Sequence, residues 1–277
     1  MKTVLTTIWY GIAVCILFGG VSALCQETAE VPKVAAGSTQ AAAPVEEHPL
    51  MPVIRWAENG RPAIAAIKDY TAIMQKQECV GGQVLGAQVM EVKVRHQPLS
   101  FYVKLRYPAD INGQQAIYVQ GKNDGKAWAR GVGVQGLLGW QSLVPDSIFM
   151  MKNNKYPITE MGILNLLDKL LEVGKKDSKF GECTVTYRDY KIGKDAAARE
   201  CTLIEVTHPV PRKTFIFHKA KIFVDKELNA PIMYQSFDWP RKPGEEPQLI
   251  EAYHYRDLKI NVGLTDMDFD HTNPAYQ

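Results

Sequence analysis

Cysteine is scarce: five of 277 residues, and two of those, Cys15 and Cys25, fall near the N-terminus. Cys79, Cys183 and Cys201 are too few to staple a small disulfide domain, and an odd number leaves at least one thiol unpaired within a monomer. Neither charge sign dominates, with 32 Lys and Arg against 30 Asp and Glu, so the basic stripe of a nucleic-acid-binding protein is absent. Long apolar runs are missing after the first 20 or so positions. There is no Gly-x-Ser-x-Gly elbow, no phosphate-binding Gly-Lys-Ser loop, and no histidine pair at the spacing of a zinc helix. Nothing forms a nucleophile, base and orienter set, so the expectation is a protein that is not an enzyme and carries no cofactor.

The N-terminus is informative. Lys2 is followed by an apolar run from Ile8 to Phe18, then Gly19-Gly20 and the small-residue site Val21-Ser22-Ala23. This pattern predicts a signal peptide over 1–23 and export to the periplasm or cell envelope. Leu24 stands where a lipobox needs a small residue, which argues against lipid anchoring at Cys25. Residues 24–48 are rich in Ala, Glu, Pro and Thr, and they contain two glutamate pairs or near-pairs against one lysine. Such a stretch buries too little to offset its ordering entropy and reads as a disordered tail. Residues 49–277 are then one β-rich domain, enough for one sizeable core.

Within that domain the period is mostly two. Met90, Val92 and Val94 alternate with Glu91, Lys93 and Arg95, and Phe101, Val103, Leu105 and Tyr107 alternate with Ser100, Tyr102, Lys104 and Arg106. These are half-buried strands, with Lys93-Val94-Arg95-His96 contributing a solvated face. Further strands are expected near 114–120, 126–130, 138–144, 184–192, 201–208, 214–224, 232–239 and 249–260. Gly121–Gly125 is a turn, and the Pro-rich 240–248 is a polar loop. Two helices are expected. One runs from Pro62 to Gln75, with Ile64, Ile67, Tyr70 or Thr71, and Met74 on one face. The other runs from Thr159, its N-cap, to Val173, stopped by Gly174. Ile163, Leu166, Leu167, Leu170 and Leu171 make the second helix the most apolar segment of the domain. They are candidates for an apolar plug or lid. The whole reads as α+β, mainly antiparallel β: a curved half-barrel of about ten or eleven strands, with two helices covering its concave face.

Several patterns have plainer explanations. Gly131-x-Gly133-x-x-Gly136 follows a strand but leads into another strand instead of a helix, which favours a turn over a dinucleotide site. Asp266-x-Asp268-x-Asp270 opens like a calcium loop, but His271 replaces the glycine that such a loop requires, which favours an acidic turn. His208, His218 and His254 lie in successive strands and could converge on a metal. Cys183 and Cys201 flank one hairpin; with its turn near Asp195, Cys201 falls opposite Tyr190. That places Cys183 roughly 23 Å away along the strand, beyond the about 7 Å between Cα atoms that a disulfide allows. Glu251 and Asp257 flank tyrosines with no evident partner.

One combination of motifs is more specific. It comprises Asp69-Tyr70-Thr71, Gln77-Glu78-Cys79-Val80-Gly81, Val92 to Pro98, and Ile117 to Asn123. It continues with Tyr156-Pro157-Ile158-Thr159, Phe237-Asp238-Trp239-Pro240, Leu258 to Leu264, and Asp268-Phe269-Asp270. Over nearly all of 61–277 this resembles a bacterial family of exported proteins known as a domain of unknown function, family 1571. That family is similar in layout to the lipoprotein-carrier superfamily of LolA, LolB and the RseB-type sensor domain, in which an open half-barrel encloses an apolar cavity for acyl chains. The resemblance implies a binding protein whose partner is an apolar ligand, a lipid or a lipoprotein, with peripheral envelope association and no nucleic acid. Two other readings stay open: an envelope interaction or sensor domain, and a metal-assisted enzyme using the strand histidines.

Overall fold

In this computed structural model the described residues are 47–193 and 198–277. The expected signal peptide, nearly all of the expected tail and the turn at Asp195 lie outside them. Residues Glu46–Gln277 pack as one compact unit.

The chain opens with α1 (Met51–Ala65), which carries proline in its first turn, where no backbone N–H is needed. Ile54, Ala57 and Ile64 form its buried face. The first expected helix is therefore misplaced: Pro62 lies in the last turn of α1, not at a helix start. Residues 69–75 belong instead to a strand, β1 (Asp69–Val80). Ile67, Tyr70 and Met74 fit a helical stripe, but Tyr70, Ala72 and Met74 fit a period of two equally well. Pairing on both sides settles it, because β1 is hydrogen-bonded to one strand on each flank.

Those flanking strands belong to a twelve-stranded sheet in which every pairing is antiparallel. The short β2 (Gln83–Val84) pairs with β1. The chain then builds outward through β3 (Gln88–Arg95), β4 (Ser100–Tyr107), β5 (Gln115–Val119), β6 (Ala127–Arg130) and β7 (Trp140–Leu143). A one-turn helix α2 (Ile148–Met151) and the long α3 (Ile163–Asp177) carry the chain to the far edge. There β8 (Thr184–Ile192) begins a return through β9 (Arg199–Thr207), β10 (Lys219–Asp225) and β11 (Ala230–Phe237) to β12 (Leu249–Ile260), which pairs with β1. The sheet is open, with β7 and β8 as its edges. Register slips in the β1–β12, β3–β4, β10–β11 and β11–β12 pairs are bulges, which sharpen the curl of a sheet. The result is the curved half-barrel that strand alternation implies.

α1 and α3 cover one face and share its core with inward residues such as Tyr70, Val92, Phe101, Ile204, Ile222 and Tyr255. Several local expectations are corrected here. α3 begins at Ile163, because Gly162 adopts φ +105 and blocks helical continuation from Thr159. A Cβ on Gly162 would stand 3.2 Å from Tyr70 Oη, so the junction needs glycine on both counts. Gly174 is inside α3, not beyond it. A Cβ there would stand 3.4 Å from Ile54 Cγ1, ordinary contact distance, so Gly174 lies where α1 packs on α3 without terminating the helix. Residues 133–138 form a short 3-10 segment before β7, and 214–218 precede β10 without joining it.

The opposite face is covered by the chain's own C-terminus. Phe269 and Tyr276 pack on Tyr102 and Ile117, with the Tyr102 and Tyr276 rings stacked at 4.2 Å. Lys93 and Arg95, expected to be solvated, lie beneath this strap. Lys93 Nζ donates to Asp268 at 2.6 Å and to Tyr276 Oη at 3.0 Å, while Arg95 pairs with Asp266 at 2.7 Å and sits over the Phe269 ring. Asp270 accepts from the backbone and hydroxyl of Thr272. Each aspartate of the calcium-like run thus has its own protein partner.

The β8–β9 register places Cys201 opposite Tyr190, as the hairpin reading expects, and Cys79, Cys183 and Cys201 are all free thiols.

Candidate ligand-binding cavity

A cavity of about 410 Å³ lies between α3 and the inner face of β1, β11 and β12. This is within the roughly 300–1,000 Å³ typical of small-molecule sites. Met161, Leu166, Leu170 and Val173 form its helix wall, and Met74, Tyr234, Tyr253 and Tyr255 its sheet wall. Tyr156 and Glu251 close the polar part, and Glu160, Asp168, Lys169, Glu172 and Ile216 contribute to its surface. A second void, about 50 Å³, lies between α1 and α3 and is almost wholly apolar.

The five candidate plug residues divide. Ile163, Leu167 and Leu171 are buried in the core, Leu167 at 1 % exposure. Leu166 and Leu170 face the cavity. The division follows from helical geometry: positions four apart stack on one stripe, and their neighbours fall on the next. The start of α3 is fixed to the sheet by tyrosines. Ile163 N–H donates to Tyr70 Oη at 3.0 Å, and Gly162 N–H lies within reach of Tyr255 Oη. Burial raises both phenols above the ordinary tyrosine range, so they remain neutral.

Beside the cavity is a buried polar network that the sequence reading missed. Glu78 accepts from Lys76 Nζ at 2.9 Å, from the Lys155 backbone at 3.0 Å and from Tyr253 Oη at 2.7 Å. Glu251 accepts from Lys155 Nζ at 2.9 Å, and Ser236 Oγ approaches its other oxygen at 3.4 Å. Asn154 joins through Lys76. Glu251 therefore has partners where none was expected. Burial, reinforced by the charges of Glu251 and Glu78, pushes the Tyr253 phenol far above its usual range; burial and Glu251 do the same to Tyr156. Two lysines matched to two carboxylates anchor the 154–156 segment across the strand ends. One signal was legible: Lys76 and Glu78 share the parity of Tyr70, Ala72 and Met74, so charges fall on the buried face of a strand. Reading 69–75 as helix concealed it.

The histidine alternative does not assemble. His218 Nδ1 lies 2.9 Å from the His208 carbonyl, His208 Nδ1 faces the Phe217 carbonyl at 3.3 Å, and His254 lies across from Met233 on β12. Among the described residues no group of three or more His, Cys, Asp or Glu is placed to hold a metal. His208 Nε2 faces Asp177 Oδ2 at 3.5 Å. With both ring nitrogens directed elsewhere, His208 does not serve Cys183 as a base. Burial, with the charge of Asp177, pushes the Cys183 thiol up to about 11, the opposite of an activated nucleophile. The Gly131–Gly136 run is the 3-10 bend before β7 and opens no phosphate-binding helix. Among the described residues no helix is long and apolar enough to cross a membrane.

Comparison with known proteins follows this geometry. No curated protein matches the chain in sequence. It is similar to a DUF1329 family protein from Desulfovibrio piger at 15 % identity and TM-score 0.40, covering 83 % of this chain and 100 % of that one. It is similar to the Mycobacterium tuberculosis lipoprotein LppX at 14 % identity and TM-score 0.43, covering 79 % and 100 %. A LolA superfamily protein from Nitrosomonas europaea is similar at 12 % identity and TM-score 0.29, covering 77 % and 97 %. Residues 67–277 match the family described as "Protein of unknown function (DUF1571)", and the chain belongs to that family.

Proposed function

We propose that this protein is a non-enzymatic binding protein that holds a lipid, an acyl chain or another apolar ligand between α3 and the sheet. The observation that carries this reading is the cavity of about 410 Å³, with aliphatic side chains on the helix wall and tyrosine faces on the sheet wall. Apolar walls with a few placed polar groups are the usual make-up of a small-molecule site. Apolar contact supplies affinity at about 25 cal/mol per Å² removed from water. Leu166 and Leu170 are then ligand-contacting residues, while Ile163, Leu167 and Leu171 hold the helix in place.

Export belongs to the same proposal. The signal-like segment 1–23 and the polar tail 24–48 deliver the domain to the periplasm or envelope, where a lipid or lipoprotein is the partner. N-terminal sequencing of the protein recovered from an expressing bacterium tests this; a mature start at Leu24 is expected, and retention of Met1 would remove the export reading.

Titration of the purified protein with an uncharged, environment-sensitive acyl probe tests the cavity. Saturable binding that is lost in Leu166→Trp and Leu170→Trp, both with native circular dichroism, is expected. Absence of binding would sink the proposal and leave an interaction domain, with the exposed Ile148 and Phe149 as its first surface to probe.

A further inference from the structure

The polar wall of the cavity limits what its occupant can carry; the inference rests on the cavity being the ligand site proposed above. Among the lining residues Glu251 is the buried charged group, at 5 % exposure. Its Oε2 accepts from Lys155 Nζ at 2.9 Å and from Tyr253 Oη at 3.3 Å, Oε1 has the long Ser236 contact of 3.4 Å, and the Tyr156 phenol also bonds the carboxylate. A carboxylate offers about four lone-pair sites and hydrogen bonds weaken at the two longer distances, so Glu251 keeps acceptor capacity. The remaining charged lining residues are Glu160, Asp168, Lys169 and Glu172. Asp168 is held by Arg61 at 2.5 Å, and the one lining cation, Lys169, is exposed and 3.7 Å from Glu172. Lys155 and Lys76 neutralise the carboxylates of the network without lining the cavity.

An anionic head entering this space meets the Glu251 carboxylate, whereas the cation paired with that carboxylate, Lys155, does not line the cavity. A head that donates hydrogen bonds meets a buried acceptor. We propose that the cavity selects amphiphiles whose head groups are donors without negative charge, such as monoacylglycerols, long-chain alcohols and long-chain amines. It discriminates against fatty acids and anionic phospholipids.

The experiment is competition at pH 8 on the full chain preloaded with the uncharged acyl probe. Monolaurin, laurylamine and laurate, which share one chain length, are added below their micellar concentrations. Monolaurin and laurylamine are expected to displace the probe at concentrations at least about tenfold lower than laurate, a difference of about 1.4 kcal/mol. Glu251→Gln is expected to bring laurate and laurylamine within about threefold of each other. If that variant does not fold, the wild-type ranking alone decides. Laurate competing as well as the other two would overturn this inference and leave the cavity reading intact. Failure of the probe itself to bind would overturn both.

Discussion

Asp177 and His208 meet at the end of α3, each about 1 % exposed or less, with His208 stacked on Phe215 at 4.0 Å. Both carboxylate oxygens and the histidine Nε2 lack hydrogen-bond partners among the described residues. Burial pushes the Asp177 carboxyl up to about 6 and the His208 imidazole below its usual value. An aspartate whose folded pKa exceeds its unfolded value favours the folded state below pH 4, and that advantage is lost as pH rises through about 6. The histidine works in the opposite window, losing stability as pH falls. Asp177→Asn removes the cost of ionising the carboxyl. The variant should gain up to about 3 kcal/mol over wild type above pH 7, with the gap closing toward pH 4. Urea unfolding across that range checks it; a gap that does not change with pH would exclude the mechanism. Tyr70→Phe offers a second residue-level check. It strands the buried Ile163 N–H, with an expected cost of about 1–3 kcal/mol and fraying confined to the start of α3, measured by amide exchange.

α3 presents two adjacent stripes in different surroundings. Leu167 is buried in the core, whereas Leu166 and Leu170 are only half-buried against the cavity. Leu167→Ala should cost about 2–5 kcal/mol, as for a well-packed core leucine. Leu166→Ala and Leu170→Ala should cost much less in stability and change probe affinity instead. Paired denaturation and binding titrations separate the two stripes. Equal stability losses at all three positions would make α3 ordinary core and remove the case for a ligand wall.

At the level of the whole molecule, an open sheet must protect two edges and two faces. The edges are blunted: β7 is four residues long, and β8 carries Arg188, Asp189 and Lys191. One face is filled by α1 and α3, and the β3–β6 part of the other by the C-terminal strap. The Tyr276 carbonyl accepts from Gln115 and Arg130, so the strap is tied to β5 and β6 by main-chain as well as ring contacts. Burial opposes ionisation of Asp268, but the bonds from Lys93 and Thr265 outweigh it and hold that carboxyl below the usual range. Tyr276→Ala should lower stability by about 3 kcal/mol and expose Tyr102 to solvent, read as a blue shift of tyrosine absorbance in the second-derivative ultraviolet spectrum. Probe binding in the cavity on the opposite face should be unaffected where the variant remains folded.

The strand alternation of 88–107, 184–192 and 249–260 depends only on which residues are apolar. It determined a large antiparallel sheet, and the leucine spacing after Gly162 determined a helix with a wide apolar face. The family resemblance was also carried by sequence alone. Tertiary structure decided what local pattern left ambiguous. Residues 69–75 satisfy both periods, and only pairing with β3 and β12 made them the central strand. Gly174 is a plausible helix stop until α1 lies against it. The acidic C-terminal run reads as a calcium-like start or an acidic turn, and only the packing of Lys93 and Arg95 beneath it makes it a strap. The cavity was the least legible feature. Met74, Tyr156, Leu166, Leu170, Glu251 and Tyr255 are spread over some 180 positions of chain, and they meet only where α3 lies over β1 and the returned β12. Periodicity records which face of an element is buried; it does not record which buried faces meet, and a binding site is made where they meet without filling the space between them.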